Sequence, residues 1–382
     1  MKKLSDLRNE INAIDDEITA LFVKRMQAAA EVAEFKGENG ASIYDPVRER
    51  EILSRVAEGV GPELENEARL LFTTLFSMSR GRQRSVLAGE SGFSLSLKRA
   101  LSETPSSFPS SASVACPGAE GSYSQQAASA LVKFPSIFYF KSFEDVFSAV
   151  EKGMCDYGIL PIENSAVGSV AAVYDLMDRH RFKIVRAHRH RIRHVLLSME
   201  GVDFADIKEI HSHPHALSQC SQFLRANPHI RVVPATNTAA AAQALAASGC
   251  RDVAVIAARE CAELYALRIL RERIADIDTN FTRFICISKK DEIYADASKF
   301  SVMMSLPHRA GALSDVLVKF SSVGVNLTKL ESRPVPGSDF EFRFIFDFEA
   351  SPHDPKVVKL LAGFADDPEI EHFTFLGAYT ER

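Results

Sequence analysis

The segment Asp278-Thr279-Asn280-Phe281-Thr282-Arg283-Phe284-Ile285-Cys286-Ile287 sets a threonine and an arginine between two phenylalanines and then runs out into apolar residues. A hydroxyl donor at the lip of a strand, beside a fixed cation, suits chemistry on an anion. The plainer reading is that Asn280 and Thr282 only turn the chain into a strand. A second constellation is basic. Arg25 falls on the apolar stripe that begins the chain, where an unpaired cation is costly. Lys36 follows eleven residues later, within about 20° of the same helical face. Two inward cations ask for an anion between them; a structural salt bridge to a neighbouring helix would satisfy Arg25 equally. Further polar groups stand where strands give way to helices: Ser122 and Tyr123 in Gly118-Ala119-Glu120-Gly121-Ser122-Tyr123-Ser124, then Glu163-Asn164-Ser165, Ser212-His213-Pro214 and Thr236-Asn237-Thr238. Their N–H groups and hydroxyls could hold a carboxylate at a helix start, although each alone is also an ordinary cap.

The elements that would position these residues fall into three regions. Leu4, Leu7, Ile11, Ile14, Ile18 and Leu21 recur at spacings of three and four, and the register continues to Arg25, Ala28, Val32 and Phe35. This predicts one helix of about 33 residues, roughly 50 Å long, ended by Gly37 and Gly40. A second helix starts at Asp45-Pro46, and a third runs from about Pro62 to Leu87. One long and two shorter helices cannot enclose a core for such a helix, so a second subunit is expected. Residues 91–112 are rich in Ser, with Gly and Pro, and read as a linker. From Ser113 strands and helices alternate, which predicts a two-lobed α/β domain over 113–290 with ligands at the carboxyl ends of the strands. Residues 297–382 read βαββαβ, a ferredoxin-like order, with Phe340, Phe342, Phe344, Phe346 and Phe348 alternating with other residues along one strand.

Composition bounds the rest. The 382 residues are 46% hydrophobic and 25% charged with net charge -5, an ordinary globular mix with no general affinity for nucleic acid. No apolar run reaches membrane-spanning length, and charges follow the basic start at once, so no membrane partner and no signal peptide are expected. Six scattered cysteines without a Cys-x-x-Cys pair read as reduced thiols of a cytoplasmic protein. His188, His190 and His194, and His211, His213 and His215, have metal-like spacing. Arg186, Arg189, Arg191 and Arg193 around the first set would repel a cation, so neither a metal nor a cofactor is expected.

Residues 1–90 resemble the all-helical chorismate mutase domain: Arg8, Arg25, Lys36, Asp45 with Arg48-Glu49-Arg50, and Gln83 occur in that family's order. The resemblance implies Arg8, Arg25 and Arg48 on the two substrate carboxylates, Lys36 and Gln83 on the ether oxygen, and Glu49 on the hydroxyl, with Asp45 and Ser79 as polar neighbours. Arg8 lies about 100° off the face of Arg25 and would serve the partner subunit's site. The middle region resembles prephenate dehydratase through Gly-Ser-Tyr-Ser-Gln-Gln-Ala-Ala (121–128), Pro-Ile-Glu-Asn-Ser (161–165) with Gly168, Ser-His-Pro (212–214) with Gln219-Cys220, Asn237-Thr238-Ala239-Ala240 and Asn280-Phe281-Thr282-Arg283-Phe284. This implies Thr282 as the group that helps protonate the departing hydroxyl. Ser122, Tyr123, Glu163, Asn164, Ser165, Ser212, His213, Asn237, Thr238, Asn280, Phe281 and Arg283 would surround the substrate, with bracing of the loop the other role for Arg283. Gly118-Ala119 stands where that family often has Gly-Pro. The last region resembles the ACT domain through Gly311-Ala312-Leu313 and Glu331-Ser332-Arg333-Pro334, which with Asn326 would border a phenylalanine site. The whole resembles the bifunctional chorismate mutase–prephenate dehydratase family. That implies chorismate and prephenate as substrates, phenylalanine as effector and at least a homodimer. Two other readings compete: a dehydratase, for prephenate or arogenate, with a purely dimerising helical domain, and a non-enzymatic two-lobed receptor of periplasmic-binding-protein type with an amino-acid sensor.

Overall fold

The structure, a computed structural model, describes residues 2–87, 90–335 and 341–382. The chain opens with helices α1 (Leu4–Asn39), α2 (Pro46–Val60), α3 (Glu65–Leu87) and α4 (Gly92–Glu103). There follow β1 (Ser111–Pro117), α5 (Tyr123–Leu131), β2 (Phe134–Phe140), α6 (Phe143–Glu151), β3 (Tyr157–Asn164), β4 (Gly168–Ser169), α7 (Ala171–His180) and β5 (Lys183–Arg191). Next come β6 (His194–Ser198), β7 (Glu209–Ser212), α8 (Pro214–Ser218), α9 (Ser221–Arg225), β8 (Arg231–Pro234), α10 (Thr238–Ser248), β9 (Val253–Ala258), α11 (Glu260–Leu264) and β10 (Arg268–Arg271). The chain ends with β11 (Phe281–Ser288), β12 (Lys299–Ser305), α12 (Ala312–Ser322), β13 (Asn326–Pro334), β14 (Phe342–Glu349), α13 (Pro355–Ala365) and β15 (Glu371–Glu381). Phe340, the first phenylalanine of the expected alternation, lies outside the described residues.

Two compact units result: Met1–Ser96 with Pro307–Gly324 and Val358–Glu369, and the remainder. In the first, α1 runs 36 residues; Gly37 lies inside it, and Gly40, left-handed at φ 62°, ends it. Only Ala29 and Ala33 of α1 are buried, while Leu4, Leu7, Ile11, Ile14, Ile18 and Leu21 are 42–64% exposed. Among the described residues nothing therefore covers the apolar stripe along the first half of the helix. Asp45 caps α2 by accepting a hydrogen bond from the Arg48 N–H at 3.0 Å, with Pro46 at the first helical position. Helix α3 buries Phe76, Ser79, Arg80 and Gln83, a 3.6-residue stripe that is mostly polar. The same unit holds Asp367, which is buried and takes Arg84 at 2.8 Å and Lys319 at 3.5 Å.

The second unit contains two sheets. One runs β13-β14-β12-β15-β5-β11-β3-β1-β2, with β4 on β3; the other is β10-β6-β9-β7-β8. Around β11 the first sheet is antiparallel to β5 on one side and β3 on the other. Its two faces bury separate cores. Phe284 and Cys286 of β11 join Val114, Ala127, Ala128 and Ile159, while Ile285 and Ile287 join Phe147, Tyr174, Met303, Ile345 and Tyr379. The second sheet is likewise covered on both faces, by Leu217, Cys220 and Ile230 and by Ala239, Ala242 and Leu245.

The structure adds four features to that reading. The linker 91–112 contains α4, whose Leu97 and Ala100 are buried one turn apart among serines that hide the period. The strands on either side of residues 290–297 belong to one sheet, because Thr380 and Glu381 of β15 pair with Arg186 and Ala187 of β5. Between β7 and β8 the chain forms two short helices, α8 and α9, interrupted at Gln219-Cys220. The strand β2 and the helix α7 were not read from the sequence at all: β2 is a partly exposed edge with Pro135 in it.

Candidate active sites

In the helical unit, Arg25 projects onto α3. Its Nη1 donates to Leu75 O at 3.1 Å and to Ser79 Oγ, and its guanidinium lies 5.7 Å from the Phe76 ring centroid. Burial pulls its pKa down, opposed by the nearby carboxylate of Glu49. Glu49 in turn pairs with Arg80, which also covers the Tyr44 ring at 5.3 Å. Gln83 is buried one turn further on, and its Oε1 has no hydrogen-bond partner among the described residues. Lys36 reaches back to Ile43 O at 2.8 Å. Arg48 is exposed and pairs with Glu51 at 3.1 Å, and Arg8 stands exposed on the uncovered half of α1.

The stripe of α3, the inward face of α1 and the first turn of α2 thus bring Arg25, Ser79, Gln83 and Glu49 together. Arg8 and Arg48 are left outside the group, and Asp45 serves as a cap. Sequence reasoning missed Arg80. Its signal was its place between Ser79 and Gln83 on the buried stripe, and its partner Glu49 is visible only in three dimensions.

In the second unit, β11 carries Thr282 on one face and Arg283 on the other, by the two-residue period of a strand. Thr282 is buried between Asn164, its register partner on β3, and His190, its register partner on β5. Asn164 Nδ2 donates to Thr282 Oγ1 at 2.9 Å and to Asn280 Oδ1 at 2.8 Å, while Asn164 Oδ1 accepts from the N–H groups of Ala166 and Val167 at 2.9 and 3.1 Å. The amide is held on both sides. Since Thr282 Oγ1 accepts, its own hydrogen is left to donate, and no acceptor takes it among the described residues. Accepting a hydrogen bond polarises the O–H and strengthens it as a donor.

Ser165 locks the neighbouring turn, its Oγ accepting from Phe281 N at 2.9 Å and its N–H donating to Phe281 O at 2.8 Å. His190 Nε2 donates to Gln126 Oε1 at 2.9 Å, which fixes its tautomer. Burial, helped by His188, lowers its pKa and keeps it neutral. Tyr123 OH donates to Arg193 O at 2.9 Å and lies 3.2 Å from His194 Nδ1.

The loop 118–122 opens α5, with Ser122 Oγ accepting from Gln125 N at 3.4 Å. Gly121 has φ 84°, and a Cβ there would sit 2.8 Å from Cys261 Sγ, so only glycine fits. Asn237 caps α10 through Ala240 N at 2.6 Å, with Thr238 following at the first helical position. A Cβ on Gly118 would come within 4.0 Å of Asn237, so this cap faces the loop across the two sheets.

Four expected site residues are engaged elsewhere. Ser212 is fully buried with its hydroxyl donated to Ile256 O at 2.6 Å, inside the second lobe. His213 spends Nδ1 capping α8 at 3.2 Å. Arg283 lies on the opposite face from Thr282, taken by Asp347 at 2.6 Å and Tyr379 OH at 2.9 Å, which makes it a brace. Glu163, on that same face, is 3.5 Å from Arg283. Sequence reasoning had placed His190 only in a metal-like cluster. The strands separate that cluster: β5 ends at Arg191, His194 starts β6, and among the described residues no three His, Cys, Asp or Glu side chains are grouped to hold a metal.

The residues expected to border an effector lie at α12 and β13. Gly311, left-handed at φ 83°, precedes Ala312-Leu313 at the start of α12. Asn326 donates to Glu349 at 3.1 Å at the start of β13, and Pro334 ends it. Between them Glu331 and Arg333 turn inward and Ser332 outward.

Residues 114–292 match the Prephenate dehydratase family profile and residues 7–84 the Chorismate mutase type II profile. The bifunctional chorismate mutase/prephenate dehydratase of Escherichia coli K12 is 31% identical over 93% of this chain and 91% of its own length. An arogenate dehydratase/prephenate dehydratase of Arabidopsis thaliana is 39% identical over 63% of this chain and 65% of its own. The crystal structure of the prephenate dehydratase of Arthrobacter aurescens in complex with L-Phe superposes with a TM-score of 0.63 at 31% identity, covering 70% of this chain and 89% of that one. With both profiles matched in order and a relative aligned over nearly its whole length, the chain belongs to the bifunctional chorismate mutase/prephenate dehydratase family.

Proposed function

We propose that this protein is a bifunctional enzyme of L-phenylalanine biosynthesis. The helical domain rearranges chorismate to prephenate, and the two-lobed domain converts prephenate to phenylpyruvate. The first reaction needs no nucleophile: it needs two carboxylates clamped in a folded pose and donors on the ether oxygen as the C–O bond breaks. Arg25, fixed by Ser79, supplies a carboxylate clamp, and Lys36 and Gln83 supply the donors. In the second reaction CO2 leaves with its bond pair staying in the ring, and the ring hydroxyl leaves as water once protonated. Thr282 donates toward that hydroxyl, directly or through water, with Asn164 holding its oxygen and Tyr123, Ser122, Asn237 and Thr238 around the substrate.

Residues 297–382 form a ferredoxin-like ACT domain that takes phenylalanine as feedback inhibitor; the βαββαβ order and the strand order β13-β14-β12-β15 support this. The uncovered stripe of α1 supports a homodimer in which Arg8 serves the partner's mutase site. Six free cysteines are consistent with a reducing compartment such as the cytoplasm, and among the described residues no helix is long and apolar enough to cross a membrane.

The observation that carries the dehydratase reading is the Thr282 hydroxyl, buried, held as an acceptor by Asn164 and left with its hydrogen to give. Thr282→Val keeps the shape and removes that donor. With chorismate supplied, the variant is expected to accumulate prephenate, its dehydratase rate falling by about 10²–10⁴-fold while the mutase rate is unchanged. Phenylpyruvate formed at the wild-type rate would refute the role.

A further inference from the structure

Strand β13 alternates between exposed and sheltered residues, and the charged members of the sheltered set are Lys329, Glu331 and Arg333. All three point at the dehydratase part of the second unit. Lys329 Nζ lies 3.2 Å from Glu163 Oε1, 3.0 Å from Glu331 Oε2 and 2.6 Å from Ser169 Oγ, with its side chain only 9% exposed. Ser169 also donates to Glu331. Glu163 Oε2 continues to Arg283, and Arg283 to Asp347, Tyr379 and Glu381. Ser301 donates to Asp347, and Lys299 closes on Glu381 at 2.8 Å.

One unbroken line of charged contacts therefore runs from Glu331 through Lys329 and Glu163 to Arg283, the residue next to Thr282. Arg333 grips α7 of the same lobe, with Asp175 at 3.3 Å and Ala171 O at 3.2 Å. Within this cluster Arg283 is divided among Glu163, Asp347 and Glu381, and Lys329 between Glu163 and Glu331. In so sheltered a place a cation cannot be shared without cost to each partner. What Glu331 does decides how much of Lys329 is left for Glu163.

We propose that Lys329 is a positioning residue of the dehydratase site, holding Glu163 and through it Arg283 and the Thr282 strand, and that it is the link by which an amino-acid ammonium arriving at Glu331 alters that site. This rests on the functional reading above. An effector that draws Glu331 away releases Lys329 to Glu163, so the catalytic strand is held differently with and without effector.

The test uses the full chain, with prephenate as substrate, L-phenylalanine as probe and the mutase rate of each preparation as the measure of folding. Wild type must turn over prephenate and be inhibited by phenylalanine; if it does neither, the functional reading falls before the variants are considered. Given that, Lys329→Met is expected to bind phenylalanine calorimetrically within about threefold of wild type, while inhibition at saturation drops by at least about fivefold. Lys329→Arg, which keeps the charge, restores inhibition. The double variant Lys329→Met/Glu163→Gln is expected to have the dehydratase rate of the slower single variant.

Unchanged inhibition in Lys329→Met overturns the proposal, as do multiplying rate losses in the double variant. Loss of phenylalanine binding also overturns it, since Lys329 would then be an effector ligand. Should Lys329→Met lose its mutase rate as well, Ser169→Ala is the milder probe: it removes the hydroxyl between Lys329 and Glu331, and inhibition weakened with phenylalanine binding retained supports the link, whereas full inhibition removes it.

Discussion

Thr282 and Arg283 are neighbours in sequence with opposite tasks. A strand sends successive side chains to opposite faces, so the threonine meets Asn164 while the arginine is buried against Asp347 and Tyr379. That division was legible in principle, because Phe284 and Ile285 continue the same alternation into two different cores. What the sequence could not give was the partner of each charge: Asp347 lies 64 residues from Arg283. Arg25 is the corresponding residue of the helical site. Its position on an apolar stripe marked it from sequence, and its seat on Ser79 accounts for it. Arg25→Ala is expected to lower the mutase rate by at least about 10²-fold, since it removes a charge that binds a carboxylate in the reacting pose, and to leave prephenate turnover unchanged. Parallel rate assays on the two substrates check this; equal loss in both would mean the two activities share one site.

The elements were legible where one period ran long. The α1 stripe, the strand β11 and the phenylalanine alternation of β14 needed nothing beyond spacing. Those that escaped were short or disguised: α4 among serines, β2 with its proline, and the break between α8 and α9. Helix α1 makes a sharper statement. Its first half exposes six aliphatic residues on one stripe, and each such side chain is worth about 1.5–3 kcal/mol when buried. In the proposed homodimer a second copy of the chain covers this stripe and brings Arg8 to a mutase site. Ile14→Glu puts a charge in the middle of the stripe. It is expected to convert a dimer to monomer in sedimentation or light scattering, and the mutase rate is expected to fall with it. A variant that stays dimeric with full mutase activity would place the subunit contact elsewhere.

The whole molecule has two active centres on one chain and a third region whose strands are continuous with the dehydratase sheet. Sequence motifs placed the first two regions in the order in which the family profiles match them, because each carries several residues at family spacing. They gave no sign that β15 would pair with β5, since two residues of parallel pairing leave no pattern of their own. This continuity gives an effector signal a short route: from β13 to β11 it crosses side chains already in contact. The most direct test of the account supplies the wild-type chain with chorismate alone and measures phenylpyruvate, with and without L-phenylalanine. Phenylpyruvate that forms from chorismate and is suppressed by phenylalanine is the predicted result. Phenylpyruvate formed only when prephenate is supplied would reduce the helical domain to a structural role, and none from either substrate would contradict the account.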